Sequence, residues 1–171
     1  MFRLRKLEEK DVPEMIAWMH DPKVNCRFRF DFAGMTEDKA LEFVKNSFTD
    51  ENQNFAFVGD DDRYLGTISL KNISKVDNNA EYAVVTSLAA QGTGAAFAAT
   101  KAILKYAFET LGLNRVYLNV LVENERANAF YKKCGFEYEG MFKEHLCIRG
   151  QYKDLNWYGM TKEQYMGMKD E

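Results

Sequence analysis

The chain is poor in the residues that would complicate its reading. It has two prolines, Pro13 and Pro22, and no Pro-rich, Ser/Gly-rich or low-complexity tract. No internal repeat is visible. With nothing to mark a boundary, the 171 residues are expected to form a single domain, 1–171. The three cysteines, Cys26, Cys134 and Cys147, are odd in number and include no C-x-x-C pair, which excludes a zinc knuckle and a disulfide framework. Reduced, mostly buried thiols are expected. No metal-ligand cluster and no Gly-x-Ser-x-Gly elbow occurs, so no metal is expected. No stretch approaches the roughly 18 apolar residues of a membrane span, and Met1–Lys6 lacks the apolar run of a signal peptide. The expectation is a cytoplasmic protein with no membrane partner. Charge of one sign is also missing: 23 basic against 26 acidic residues leave a net −3, with Lys and Arg scattered. A nucleic-acid surface needs a basic patch to displace counterions, so no nucleic-acid partner is expected.

What is present is a good core composition, 46% hydrophobic and 14% aromatic. Phe2–Leu7 alternates apolar and polar, as a strand does. Asp11 can cap the next helix, with Pro13 in its first turn and Met15, Ile16 and Met19 on its apolar face. Asp21-Pro22 ends it. Arg27–Gly34 reads as an extended loop with aromatic anchors, and Thr36 opens a second helix to about Phe48. Asn54–Gly59, Arg63–Ile73 and Ala80–Thr86 read as strands, with turns at Asp60–Asp62 and Asn78-Asn79. Gly94–Leu111 is a long helical pattern closed by Gly112. Val116–Val122 is a strand and Asn124–Lys133 a short helix stopped by Gly135. Glu139–Ile148 and Tyr152–Met160 close the chain as two strands. This order implies an α/β (α+β) fold around one sheet.

The chemistry concentrates between Glu81 and Phe136. In Leu88–Phe97 a strand gives way to a helix through Gly92 and Gly94. Glycines let the backbone turn and approach a ligand, and the first helical N–H groups have no intrahelical partners. Such a loop is an anion site suited to phosphate. A dinucleotide fingerprint needs a small residue where Phe97 stands, and the Lys-Ser/Thr of a nucleoside-triphosphate loop is absent. The second element runs from Asn124 to Phe136. Asn124 and Tyr131 lie about two helical turns apart, on one face. Read alone, Asn124 could be a plain helix cap and Tyr131 a half-buried aromatic.

Gln91-x-x-Gly94-x-Ala96 resembles the Gln/Arg-x-x-Gly-x-Gly/Ala loop of the GNAT superfamily of N-acetyltransferases. Asn124–Phe136 resembles that family's Asn-x-x-Ala-x-x-x-Tyr-x-x-x-Gly-Phe signature. Glu139–Glu144 and Arg149–Asp154 are similar to the closing hairpin of its ribosomal-protein and spermidine acetyltransferase branch. The resemblance implies a mostly antiparallel, twisted sheet of about seven strands flanked by about four helices. It implies acetyl-coenzyme A (acetyl-CoA) as co-substrate, held by Val84, Val85, Thr86, Gln91, Gly92, Thr93, Gly94, Ala95, Ala96, Phe97, Asn124, Ala127 and Tyr131.

It further implies direct attack of a neutral amine on the thioester through a tetrahedral intermediate. The carbonyl would be polarised by backbone N–H groups near Val84–Thr86, and Tyr131 would protonate the leaving thiolate. Glu81 is the candidate base, with an exposed strand charge as the alternative reading. Burial under the sheet would make it a better base. Thr93 stands where a Lys or Arg is common, removing one cation near the phosphates, and Ala95 replaces a larger aliphatic. Acceptors are ordered as polyamine or other small amine, then amino sugar, then peptide N-terminus. A catalytically silent acyl-CoA sensor is the alternative function. A homodimer through the closing strands is expected by family analogy alone.

Overall fold

The computed structural model describes residues 1–169. Seven strands form one sheet in the order β1-β2-β3-β4-β5-β7-β6. They are β1 (Arg3–Lys6), β2 (Gln53–Val58), β3 (Tyr64–Ser74), β4 (Asn79–Thr86), β5 (Arg115–Leu121), β6 (Glu137–Ile148) and β7 (Gln151–Thr161). Every neighbouring pair is antiparallel except β4 and β5, which run parallel. The helices are α1 (Val12–His20), α2 (Pro22–Asn25), α3 (Glu37–Lys45), α4 (Ala95–Lys105), α5 (Glu125–Lys133) and α6 (Lys162–Lys169). The seven strands agree with the sequence reading.

Strand alternation sends neighbouring side chains to opposite faces and so builds two cores. On one face Ala56, Val58 and Tyr64 pack under Met15 and Trp18 of α1 and Ala40 and Val44 of α3. On the other, Phe57, Ile68, Leu70, Ala80 and Tyr82 pack under Ala99 and Ile103 of α4 and Phe108 beyond it. Each large apolar side chain fully buried this way stabilises the fold by about 1.5–3 kcal/mol. No helix among the described residues is long and apolar enough to cross a membrane.

Several expectations are corrected. Asp11 does not cap α1. Its carboxylate is 2% exposed and takes a two-pronged bond from Arg5, both contacts at 2.7 Å, and a third from the Glu8 N–H at 2.9 Å. An ion pair at β1 is stronger than a cap to a donor that water can reach. Asp21-Pro22 ends α1 but also starts α2, because Asp21 Oδ1 accepts from the Lys23 N–H at 2.9 Å. Arg27–Gly34 is a loop ending in a 3₁₀ turn, Phe32–Gly34, rather than extended chain. Its aromatic anchors are Phe28 and Phe32, whose rings lie 6.1 and 5.1 Å from that of Trp18. The second expected helix ends at Lys45 rather than near Phe48. The long helix changes to a π-helical turn at Tyr106–Thr110. A final helix, α6, was not expected. It is held where Tyr165 stacks on Phe108 at 4.9 Å and donates to Glu109 at 2.8 Å. Of the cysteines only Cys134 is buried. Cys26 lies in the loop after α2 and Cys147 on the edge strand β6, both exposed.

The glycine that decides the geometry near the site is Gly66 on β3, paired with Thr86 of β4. A Cβ there would fall within the Val85 carbonyl oxygen and the Phe57 ring. Overpacking between a backbone oxygen and a buried ring cannot be relieved by a rotamer change. Gly66→Ala is expected to lower unfolding free energy by about 2–3 kcal/mol, measured by urea denaturation. A loss below about 0.5 kcal/mol, the size of an ordinary surface change, would show that β3 and β4 are not held this closely.

Candidate active site

The parallel pairing of β4 with β5 covers three registers, Asn79↔Arg115, Ala80↔Val116 and Glu81↔Tyr117, and then stops. Past Glu81, β4 stays bonded to β3 as far as Thr86, and β5 stays bonded to β7 as far as Leu121. The sheet therefore opens between them. Val84, Val85 and Thr86 are half-buried on the rim of this opening. Strand geometry leaves main-chain groups on that rim without a ladder partner.

The loop after β4 supplies the second part. Leu88–Ala90 forms a 3₁₀ turn, and Gly92 and Gly94 take φ of 78° and 85°, the left-handed region. A Cβ on either would meet nothing within 4 Å, so open space lies against this backbone. The first intrahelical bond of α4 runs from the Ala98 N–H to the Gly94 carbonyl at 3.0 Å. The Ala96 and Phe97 amides precede it and bond no carbonyl among the described residues, which suits them to an anion. Thr93 does not face outward as a donor: its hydroxyl donates to the Ala90 carbonyl at 2.7 Å and accepts from the Ala95 N–H at 3.3 Å. Phe97 packs on the core edge, with the ammonium groups of Lys101 and Lys133 at 4.9 and 5.3 Å from its ring centre. The free amides and open cradle fit a phosphate group.

Helix α5 supplies the third part. Asn124 caps it, accepting from the Ala127 N–H at 3.3 Å, so its cap reading holds while its side-chain N–H groups bond no other described residue. Ala127, Phe130 and Tyr131 pack against the core below α4. The Tyr131 ring sits edge-on to Tyr82 at 5.9 Å and to Phe136 at 6.2 Å. No described residue bonds its hydroxyl. Burial pushes the Tyr131 hydroxyl well above its ordinary value of 10.0, with the neighbouring Cys134 thiol adding to the shift. Burial likewise raises Tyr82, whose hydroxyl shares a 2.8 Å bond with Thr100, and raises Cys134 to about 11. The tyrosine face of the opening is thus a neutral, protonated environment.

Glu81 lies on the other face. Tyr82 points under α4, so alternation turns Glu81 away from it. Its carboxylate accepts from Asn72 Nδ2 at 3.0 Å and from Asn119 Nδ2 at 3.4 Å, with Lys71 Nζ at 3.9 Å. The side chain keeps 21% of its surface exposed. The sheet does not cover it, and its setting is hydrogen-bonded rather than apolar.

The structure thus brings the loop, the rim and α5 together and leaves Glu81 across the sheet. Sequence reasoning missed two residues. Asn128, buried, joins α5 to the sheet: Nδ2 donates to the Leu121 carbonyl at 3.0 Å and the Asn124 carbonyl at 2.8 Å, and Oδ1 accepts from Asn156 and Tyr158, both at 2.8 Å. An asparagine inside a short helix, where the type is disfavoured, was the available signal. Arg126, an unremarked position of the motif, donates to Gln91 Oε1 at 2.8 Å and ties the loop to α5. A separate cleft of about 460 Å³ runs along another side of α5, lined by Glu125, Lys132, Tyr138 and Asn156 among others, away from the Gln91–Gly94 loop.

Comparison with known proteins agrees with this geometry. The chain is 30% identical over 132 residues to a spermidine N(1)-acetyltransferase of Vibrio cholerae, covering 76% of each. It is 29% identical over 167 residues to the Escherichia coli spermidine N(1)-acetyltransferase, covering 96% of this chain and 88% of that one. A putative ribosomal N-acetyltransferase of Bacillus subtilis is 35% identical over 109 residues, 64% of this chain and 60% of the other. The solved structure of the V. cholerae spermidine N-acetyltransferase in complex with CoA and spermine superposes with a TM-score of 0.88 at 25% identity, over 96% and 98% of the two chains. The acetyltransferase (GNAT) domain family matches residues 2–137, from β1 through the strand opening and α5, and the chain belongs to that family.

Proposed function

We propose that this N-acetyltransferase acetylates a polyamine or other small primary amine from acetyl-CoA, with Tyr131 as acid and Glu81 as base. The observation that carries the reading is the β4–β5 opening, with an unpartnered, neutral tyrosine hydroxyl on one face and a carboxylate on the other. Acetyl-CoA supplies an activated acyl group. The free Ala96 and Phe97 amides and the Gly92–Gly94 cradle are suited to its phosphates, and the rim at Val84–Thr86 to its acyl carbonyl. The acceptor comes from the uncovered face, where Glu81 takes the ammonium proton directly or through water. Tyr131 gives its proton to the departing sulfur. Relatives named for spermidine, and a structural neighbour solved with spermine, support the polyamine as first acceptor.

The raised Tyr131 hydroxyl fixes the sign of one pH effect. A group whose pKa is raised stays protonated to higher pH, so Tyr131 contributes no fall in kcat below about pH 10. Tyr131→Phe is expected to lower kcat by about a hundredfold while the Kd for CoA by calorimetry changes less than about twofold. Glu81→Gln, which keeps an acceptor oxygen for Asn119, should lower kcat similarly. Wild-type kcat in either variant would remove that residue from its role.

Thiol release with spermidine, an amino sugar and a short peptide names the acceptor. Turnover on spermidine above the others is the expected result. Turnover on the peptide alone would move the acceptor to a protein α-amine.

Asn128→Ala leaves the Tyr158 hydroxyl and the Asn156 side-chain amide without the oxygen they bond. It should destabilise the chain by about 2–3 kcal/mol in urea unfolding. A loss under about 0.5 kcal/mol would show that α5 is held by packing alone.

A further inference from the structure

We propose that Arg126 is the cation that binds the co-substrate's phosphates, in place of the basic residue missing at Thr93. This rests on the acetyl-CoA reading above and extends it to a residue that the motif leaves unspecified. Three observations converge on it. The guanidinium reaches across 35 positions to Gln91 Oε1 at 2.8 Å, which sets it beside the Gly92–Gly94 cradle. It is exposed and forms no ion pair with a carboxylate among the described residues, whereas Arg3, Arg5, Arg63 and Arg115 each form one. Finally, Arg126 stands in the first turn of α5, where the helix dipole disfavours a positive charge.

A cation at the positive end of one helix, bonded to the loop that leads into another, sits in a field of its own sign. An anion between them reverses the sign of every one of those terms. The free Ala96 and Phe97 amides, the α4 and α5 termini and the guanidinium would all then face negative charge. Thr93 cannot take this part, because its hydroxyl is turned back onto the Ala90 carbonyl. Lys133, the other cation on the α4-facing side of α5, lies against the Phe97 ring instead. Gln91 holds the Arg126 fork by a neutral bond, which places it without cancelling its charge.

The test is calorimetric binding to the full chain, without turnover. CoA should bind Arg126→Gln about tenfold more weakly than wild type, with a shallower dependence on salt concentration. Arg126→Lys should recover part of the loss, and Thr93→Lys placed in Arg126→Gln should recover part as well. Pantetheine, which carries no phosphate, should bind wild type and Arg126→Gln alike. Dephospho-CoA separates the two phosphate sources: a loss that persists assigns Arg126 to the pyrophosphate, and one that vanishes assigns it to the 3′-phosphate. Thermal unfolding of the ligand-free variants should match wild type. If wild type binds CoA and Arg126→Gln binds it equally, or if pantetheine shows the same loss, this proposal falls and the acetyl-CoA reading stands. If wild type binds no CoA, both fall.

Discussion

The parallel ladder between β4 and β5 is three residues long, and the site exists because it is no longer. Each strand is pinned on its other side. β4 is bonded to β3 through Thr86, and β5 to β7 through Leu121. Two half-sheets, each complete in itself, are joined at a short seam and twist apart beyond it. Main-chain groups along the divergence cannot stay buried and unpaired without a cost of about 1–3 kcal/mol each. They must face water or a ligand that bonds them. A ligand with a carbonyl and amides, such as the proposed co-substrate, can replace the missing strand.

Two kinds of packing keep the slot from closing. Tyr82 of β4 fills the space under Tyr131 and Phe136, and its hydroxyl is tied to Thr100 of α4, so β4 cannot slide toward β5 without displacing buried rings. Asn128 performs the complementary task for α5. One side chain bonds the end of β5, the start of the helix and two residues of β7. Both elements that carry chemistry, the loop and the helix, are thus fixed to different half-sheets. The Gln91–Arg126 bond is the polar link that crosses between them.

The strands were legible because apolar alternation and turn residues mark them, and the loop was legible because Gly92 and Gly94 interrupt a helical pattern in a recognisable spacing. What was not legible depended on contacts distant in sequence. Asp11 looks like a cap until Arg5 folds onto it. α6 lacks a strong apolar stripe and is held by Glu109 and Phe108, some sixty positions earlier. Arg126 carries no signal until Gln91 is beside it. Whether Glu81 is covered was likewise left open by the sequence, since it depends on α1, α2 and α3, which pack over the β1–β3 part of that face. Spacing reveals which residues share an element. It does not reveal which face a second element will cover.

In the proposed reaction the alternation of β4 divides the labour between the two faces. Glu81 and Tyr82 are neighbours in sequence, yet one faces the uncovered side and the other the α4–α5 side. In that proposed reaction the groups suited to the co-substrate belong to β4, the loop and α5, and the acceptor meets the opposite face. Arg149 of the closing hairpin donates to the Cys26 carbonyl at 3.0 Å, so that hairpin and the N-terminal segment touch each other.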